Sequence, residues 1–334
     1  MRFPLSLTVR LTRYILANKR AGRSRFPLVL MLEPTHKCNL SCKGCGRVRE
    51  YRGTMTSEMT ADECVAASKE CGAPVVSIAG GEPMVYKPVP ELARRLVEEL
   101  GRHVYLCTNG LLVRKRIGEF RPNESLYFNF HLDGMQRTHD IIVERQGAFD
   151  EVVAAIKELK SRGFRVCTNT TVYKETEPSE VADLFGFLSG IGVDGFIISP
   201  AYSYADAKTQ EVFMDRAMIR SKFAAMSGML KGFRLYASPI YMDFLLGKRD
   251  LACTPWGNPT RNPEGWRSPC YLLMDTHYSS FAELMEKTPW EKYGVGNDPR
   301  CRDCMVHCGF EPTAALDAGR SLRDIARTLW WQIA

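Results

Sequence analysis

The sequence predicts an α/β fold, a partial (β/α)6 barrel with a small Cys-rich C-terminal domain. Three observations carry that prediction. Short β-rich runs alternate with helical stretches from about residue 28 to 205, the pattern of a parallel sheet with crossover helices. A group of thiols follows the first of these runs directly, and in α/β barrels the working groups sit at the C-terminal ends of strands. Past residue 205 the alternation stops, and residues 253–312 become rich in Cys, Pro, Gly and Trp.

The candidate strands are 28–33, 75–79, 103–107, 126–132, 164–172 and 195–199. Between them Thr60–Cys71, Val89–Leu100, Phe149–Arg162 and Pro178–Gly190 read as helices. Thr60 and Glu63 form a capping box, and Pro178 suits a first helical turn after Glu177. The division that follows is a basic amphipathic segment over 1–26, the barrel over 27–205 and a connecting helical region over 206–252. The Cys-rich domain then spans 253–312, and a C-terminal helix spans 313–334.

With 45% hydrophobic and 25% charged residues among 334, the chain has an ordinary globular composition. Twelve cysteines would suggest disulfides in a short secreted domain. Here they cluster at metal-ligand spacings, and the opening segment lacks an apolar signal region, so a reducing cytoplasm is expected. No uninterrupted apolar stretch of about 18 residues is present to span a membrane.

The net charge of +7 is concentrated in residues 1–32, which hold Arg2, Arg10, Arg13, Lys19, Arg20, Arg23 and Arg25 and no acid. Leu7, Leu11, Tyr14 and Ile15 recur beside them at helical spacing. That arrangement suits a helix on an anionic membrane surface, at the inner face of the cytoplasmic membrane. It equally suits a helix docked on the protein body with a solvated basic face. The closing stretch Ser321–Ala334 sets Leu322, Ile325, Leu329, Trp330 and Ile333 on one helical face. It reads as a helix capping the core or as a second interfacial one.

Cys38, Cys42 and Cys45 stand in a C-x3-C-x2-C loop after the first strand. Three thiolates can hold three irons of a cubane and leave the fourth iron open. Structural zinc prefers four ligands at paired spacing. This loop resembles the signature of the radical S-adenosylmethionine (SAM) superfamily, and the likeness covers roughly residues 28–205. The resemblance implies a radical SAM barrel and a [4Fe–4S] cluster whose open iron chelates SAM. An electron from a reduced flavodoxin or ferredoxin-type donor then cleaves SAM to methionine and a 5′-deoxyadenosyl radical. It implies no nucleic-acid partner. The family often has an aromatic before the third cysteine, where this chain has Gly44, so adenine contacts are expected from elsewhere.

By the same resemblance Gly80, Gly81, Glu82 and Pro83, after the second strand, receive the methionine amino group. Two glycines permit close backbone approach, and Glu82 can accept from an ammonium. Asp133, Asn109 and Asn169 are candidates for further SAM contacts, each with the alternative of a backbone hydrogen bond at a strand end. Cys253-x11-Gly265-x4-Cys270, then Cys301, Cys304 and Cys308, resemble the auxiliary-cluster domains called twitch or SPASM. One auxiliary [4Fe–4S] cluster is expected, and structural zinc is the rival. Cys64 and Cys71 read as buried small apolar residues.

Cys107 ends the third strand, placed either for packing or as a hydrogen-atom donor; Cys167 is similar but less well placed. Longer blocks, among them Cys71–Pro83, Val104–Asn109, Cys253–Asn262, Pro269–Leu273 and Cys301–Gly309, resemble the adenosylhopane synthase family of hopanoid biosynthesis. That resemblance implies addition of the deoxyadenosyl radical to the terminal alkene of a hopene lipid such as diploptene, with Cys107 as donor. Phe128, Phe130, Phe196, Ile198, Tyr202 and Tyr204 are then candidates to line an apolar pocket. Two alternatives stand beside it: hydrogen abstraction from a polar or peptide substrate, and a non-catalytic zinc-thiolate binding protein.

Overall fold

In the computed structural model, which describes residues 2–333, nine strands form one sheet. The strands are β1 (Val29–Leu32), β2 (Val75–Ile78), β3 (His103–Thr108), β4 (Leu126–His131), β5 (Arg165–Val172) and β6 (Gly195–Pro200), then β7 (Thr260–Asn262), β8 (Gly265–Pro269) and β9 (Met274–Tyr278). Their order is β6-β5-β4-β3-β2-β1-β7-β8-β9, with β1 to β6 parallel. The six expected strands are found within a residue or two at either end. The crossover helices are Ala61–Cys71, Val89–Glu98, Ala148–Ser161 and Pro178–Gly190. The Thr60–Glu63 capping box forms, and Pro178 occupies the first turn after Glu177.

Strand β7 runs parallel to β1, pairing Met31 with Thr260, and β8 and β9 follow antiparallel. The Cys-rich segment therefore continues the barrel's own sheet beyond β1. No spacing in the sequence announces that pairing, because it joins residues more than two hundred positions apart.

The pleat sends alternate side chains to opposite faces of each strand. Cys107, Asn129 and Cys167 lie level with one another on β3, β4 and β5. Their hydrogen bonds to one another across the sheet put them on its inner face. Phe128, Phe130, Phe196 and Ile198 are fully buried on the other face, in the main core under the helices. Phe128 meets Phe120 and Phe164 edge-on, and Phe196 stacks on Phe185. These four residues form core and do not line a pocket. Tyr202 and Tyr204 pack with the C-terminal cysteines.

The helix Leu5–Arg20 turns Leu7 into the body, with Leu11, Tyr14 and Ile15 half-buried. The apolar face visible in the sequence thus packs on protein. No helix among the described residues is long and apolar enough to cross a membrane.

Candidate active site

Cys38, Cys42 and Cys45 lie half-buried on the loop after β1. Burial pushes the Cys38 thiol up to about 12, with Glu82 and Cys45 adding to the rise. Cys42 is raised for the same reason, and next by Cys45, Cys38 and Asp133. Thiols raised in this way, as Cys38 and Cys42 are, keep their protons until a metal displaces them.

The loop is locked from behind by Gly80 and Gly81. Gly81 N–H donates to Thr35 O (3.1 Å), and Glu82 N–H donates to Lys37 O (2.7 Å). A Cβ on Gly81 would lie 2.0 Å from Lys37 O, and one on Gly80 2.7 Å from Thr35 O. Gly80 also holds φ +102°, a conformation that glycine adopts without strain. Glycines are needed here because the two backbones touch.

Glu82 is 2% exposed and accepts from Thr108 Oγ1 (2.6 Å), Asn109 N–H (2.7 Å) and Met84 N–H (2.9 Å). Burial raises its pKa, while these donors pull the other way. The carboxylate is a strut between the β2 and β3 ends. Pro83 is buried and opens the short turn Pro83–Val85. Asn109 Nδ2 donates to Asn39 Oδ1 (2.7 Å), tying the end of β3 to the cysteine loop.

Asp133 is fully buried, accepting from Thr171 N–H (2.7 Å) and pairing with His131 Nε2 at 2.6 Å. Burial opposes charge on His131, but Asp133 overrides it and raises the imidazole pKa. Asn169 lies on β5 beside His131, and its Oδ1 is buried with no partner among the described residues. Tyr173, just past β5, had no signal in the sequence. A Cβ on Gly44 would meet its ring 2.6 Å away, and Cys42, Cys45 and Asp133 lie close enough to raise its phenol further after burial. The ring occupies the space that a side chain at position 44 would take.

Deeper on the inner face, Cys107 Sγ lies 3.2 Å from Ser77 Oγ and receives Asn129 Nδ2 at 3.5 Å. Cys167 Sγ in turn lies 3.4 Å from Asn129 Oδ1. Burial raises the Cys107 pKa, so the sulfur keeps its hydrogen.

Cys253, Cys270, Cys301, Cys304 and Cys308 line one cavity together with Tyr202, Tyr271 and Leu272. A Cβ on Gly309 would lie 2.5 Å from Cys253 Sγ. Among the described residues no three Cys, His, Asp or Glu groups gather tightly enough to hold a single ion. A four-iron cluster holds its thiolates farther apart than a single ion does.

A buried ionic network, also unmarked in the sequence, joins the two cysteine sets. Arg47, two residues past Cys45, is 4% exposed and pairs with Glu33 and Glu50, each at 3.1 Å. Arg267, 1% exposed, pairs with Glu50 at 2.7 Å and donates to Tyr51 Oη (3.0 Å) and Cys270 O (3.2 Å). Buried charges persist only when paired in this way.

Two family profiles match in tandem: the Radical SAM superfamily over residues 32–188, and a domain of unknown function, DUF3463, over 196–328. Among curated proteins, GTP 3′,8-cyclase of Clostridium perfringens (strain SM101) is 28% identical over 258 residues, covering 72% of this chain and 79% of that one. AdoMet-dependent heme synthase of Methanosarcina barkeri is 31% identical over 186 residues, 52% of this chain and 51% of that one. Among solved structures, Streptococcus suis SuiB bound to its precursor peptide SuiA superposes with a TM-score of 0.66 at 14% identity. It covers 90% of this chain and 75% of SuiB. SuiB bound to S-adenosylmethionine gives a TM-score of 0.62 at 17% identity, with 64% of that chain covered.

Over residues 32–188 the chain matches the Radical SAM superfamily. It is an enzyme with that fold and a twitch/SPASM-like C-terminal part, and it works with a [4Fe–4S] cluster and SAM. The residues fit that group, with three clustered thiols on one loop and an unpartnered buried amide oxygen at Asn169. The C-terminal thiols fit an auxiliary cluster.

Proposed function

We propose that Cys38, Cys42 and Cys45 hold the cluster that binds SAM and that Cys107 completes the reaction by giving a hydrogen atom to a carbon radical. When bound, the reduced cluster supplies a 5′-deoxyadenosyl radical from SAM. Around it, Gly80 and Gly81 bring their backbone against the cysteine loop, Asn109 and Asn169 offer amides, and Asp133 with His131 sets the far wall. Glu82 holds these parts in register. Tyr173 supplies the aromatic surface for adenine that Gly44 lacks.

The observation that carries the proposal is the Cys107 thiol, placed on the inner face between Ser77 and Asn129 and held in its S–H form. A hydrogen-atom donor at that place suits addition, in which the radical joins an alkene and leaves a carbon radical that needs quenching. The substrate proposed is the terminal alkene of a hopene lipid, diploptene, giving adenosylhopane; the support is the resemblance of the blocks from Cys71 to Gly309. After donation the sulfur radical takes an electron from a flavodoxin or ferredoxin-type donor and a proton from solvent, which restores the thiol. A reducing cytoplasm keeps the twelve cysteines as thiols.

A second reading, hydrogen abstraction from a polar or peptide substrate, is favoured by the relatives. Their names concern GTP, haem and a precursor peptide. The inner face also carries Ser77, Asn129 and His131, which suit polar contacts. Anaerobic turnover with SAM, reductant and diploptene separates the two. An adenosyl–hopane adduct is expected, and Cys107→Ala should leave SAM cleavage intact while adduct yield falls. Free 5′-deoxyadenosine with unchanged diploptene would sink the addition reading.

A further inference from the structure

We infer that the outer faces of the helices Leu5–Arg20 and Leu322–Ile333 form one docking surface for an anionic lipid bilayer. The two helices are pinned side by side. Arg2 N–H donates to Gln332 O (2.8 Å), and Gln332 Nε2 donates to Phe3 O (3.0 Å) and Thr8 Oγ1 (2.8 Å). Phe3 meets Trp331 edge-on with centroids 5.5 Å apart. These contacts hold the start of the first helix against the end of the second.

What remains outside combines apolar strips with bases. Leu322, Leu329, Trp330 and Ile333 recur at helical spacing and are 86%, 56%, 73% and 63% exposed. On the neighbouring helix Leu5, Val9 and Leu16 make a second exposed strip. Single exposed apolar residues are ordinary, but two adjacent strips with a tryptophan mark an interaction surface. Neither strip is the face that the spacing of Leu7, Leu11, Tyr14 and Ile15 suggested, which packs inward.

Charge identifies the occupant. The helix Leu5–Arg20 carries four basic residues, Arg10, Arg13, Lys19 and Arg20, and no acid. Arg10 and Arg13 share one open depression with Leu5 and Val9. On the second helix the lone acid, Asp324, is buried and paired with Arg249 at 2.8 Å. A second copy of this face would set bases against bases. An anionic lipid surface accepts the apolar strips and neutralises the bases together.

This surface lies near the N-terminal ends of the strands, away from the cysteine loop. Phe3 packs on Tyr236 at 4.7 Å, and Arg10 lies near enough to His103, the first residue of β3, to depress its pKa after burial has done so.

The inference stands apart from the choice of substrate, because binding is read without turnover. The full reconstituted chain is sedimented with sucrose-loaded vesicles of phosphatidylcholine alone or with added phosphatidylglycerol. It should pellet with the anionic vesicles at low salt, and salt should weaken binding. Leu329→Ser with Trp330→Ser should reduce binding about tenfold or more with SAM cleavage unchanged. Arg13→Gln with Arg20→Gln should abolish the preference for anionic lipid. No sedimentation with either vesicle overturns the inference, as does binding that neither pair of substitutions alters. Concentration-dependent dimers abolished by the Leu329 and Trp330 changes would assign the face to a second copy instead.

Discussion

The two cysteine sets are built in opposite ways. Cys38, Cys42 and Cys45 lie within eight residues on one loop, and two glycines of the next βα turn hold that loop by backbone contact. The five C-terminal thiols come from three separated segments and meet only because β8 and the helix His307–Asp317 close on one cavity. A local set is robust in its spacing and sensitive to its support. An assembled set has a spare ligand and depends on the whole domain.

The sharpest break of that comparison is cysteine replacement, read by iron content and SAM cleavage. Any one of Cys38→Ala, Cys42→Ala or Cys45→Ala should abolish cleavage, because three ligands leave no spare. Among the five C-terminal replacements, four should lower iron content and one should spare it, since a cubane takes four ligands. Five equal losses would contradict the single-cluster assignment.

Next in size is the link between the sets. Arg47→Met leaves Glu33 buried without its cation and should cost about 3–5 kcal/mol in denaturant unfolding. Arg267→Met should cost less, because Glu50 keeps its pair with Arg47. A change within about 0.5 kcal/mol for both would mean that the network does not hold the sets together.

His103, distant from both sets, supplies a pH test of the fold alone. Burial, helped by Arg10, lowers its pKa to about 4. Between pH 6.5 and 4 the unfolded imidazole takes up a proton that the folded one refuses, so stability falls as pH drops through that window. Moving from pH 7.5 to 5.0 should cost about 2 kcal/mol through this residue. His103→Phe should remove that share of the slope. His139, His277 and His307 are lowered to about 4 in the same way and keep the rest.

The smallest effect sharpens how local the loop is. Tyr173→Ala should weaken SAM binding to the reconstituted enzyme about tenfold, measured by calorimetry. Adding Gly44→Tyr to that variant should restore part of the affinity, because the vacated ring space receives the new side chain. Unaltered SAM affinity in Tyr173→Ala would return Tyr173 to a packing role.

Much of the barrel was legible because its signals are local. Alternating runs give strands, Thr60 and Glu63 start a helix, and the spacing of Cys38, Cys42 and Cys45 states a chemistry. The direction of Phe128 and Phe130 was not legible, since pleat parity is fixed only when the neighbouring strands set the register. Neither was Tyr173 over Gly44, nor Arg47 and Arg267 in the buried network, because each pairs residues far apart in the chain.

By itself, then, the sequence determined the alternation of strands and helices, the ligand loop and the excess of base in its first 32 residues. Tertiary structure alone decided that β7 joins β1, that five scattered thiols share one cavity, and which face of each outer helix stays exposed. The reason is one of range. Spacing along the chain encodes contacts a few residues apart, whereas contacts across hundreds of residues exist only once packing has chosen which surfaces to bury.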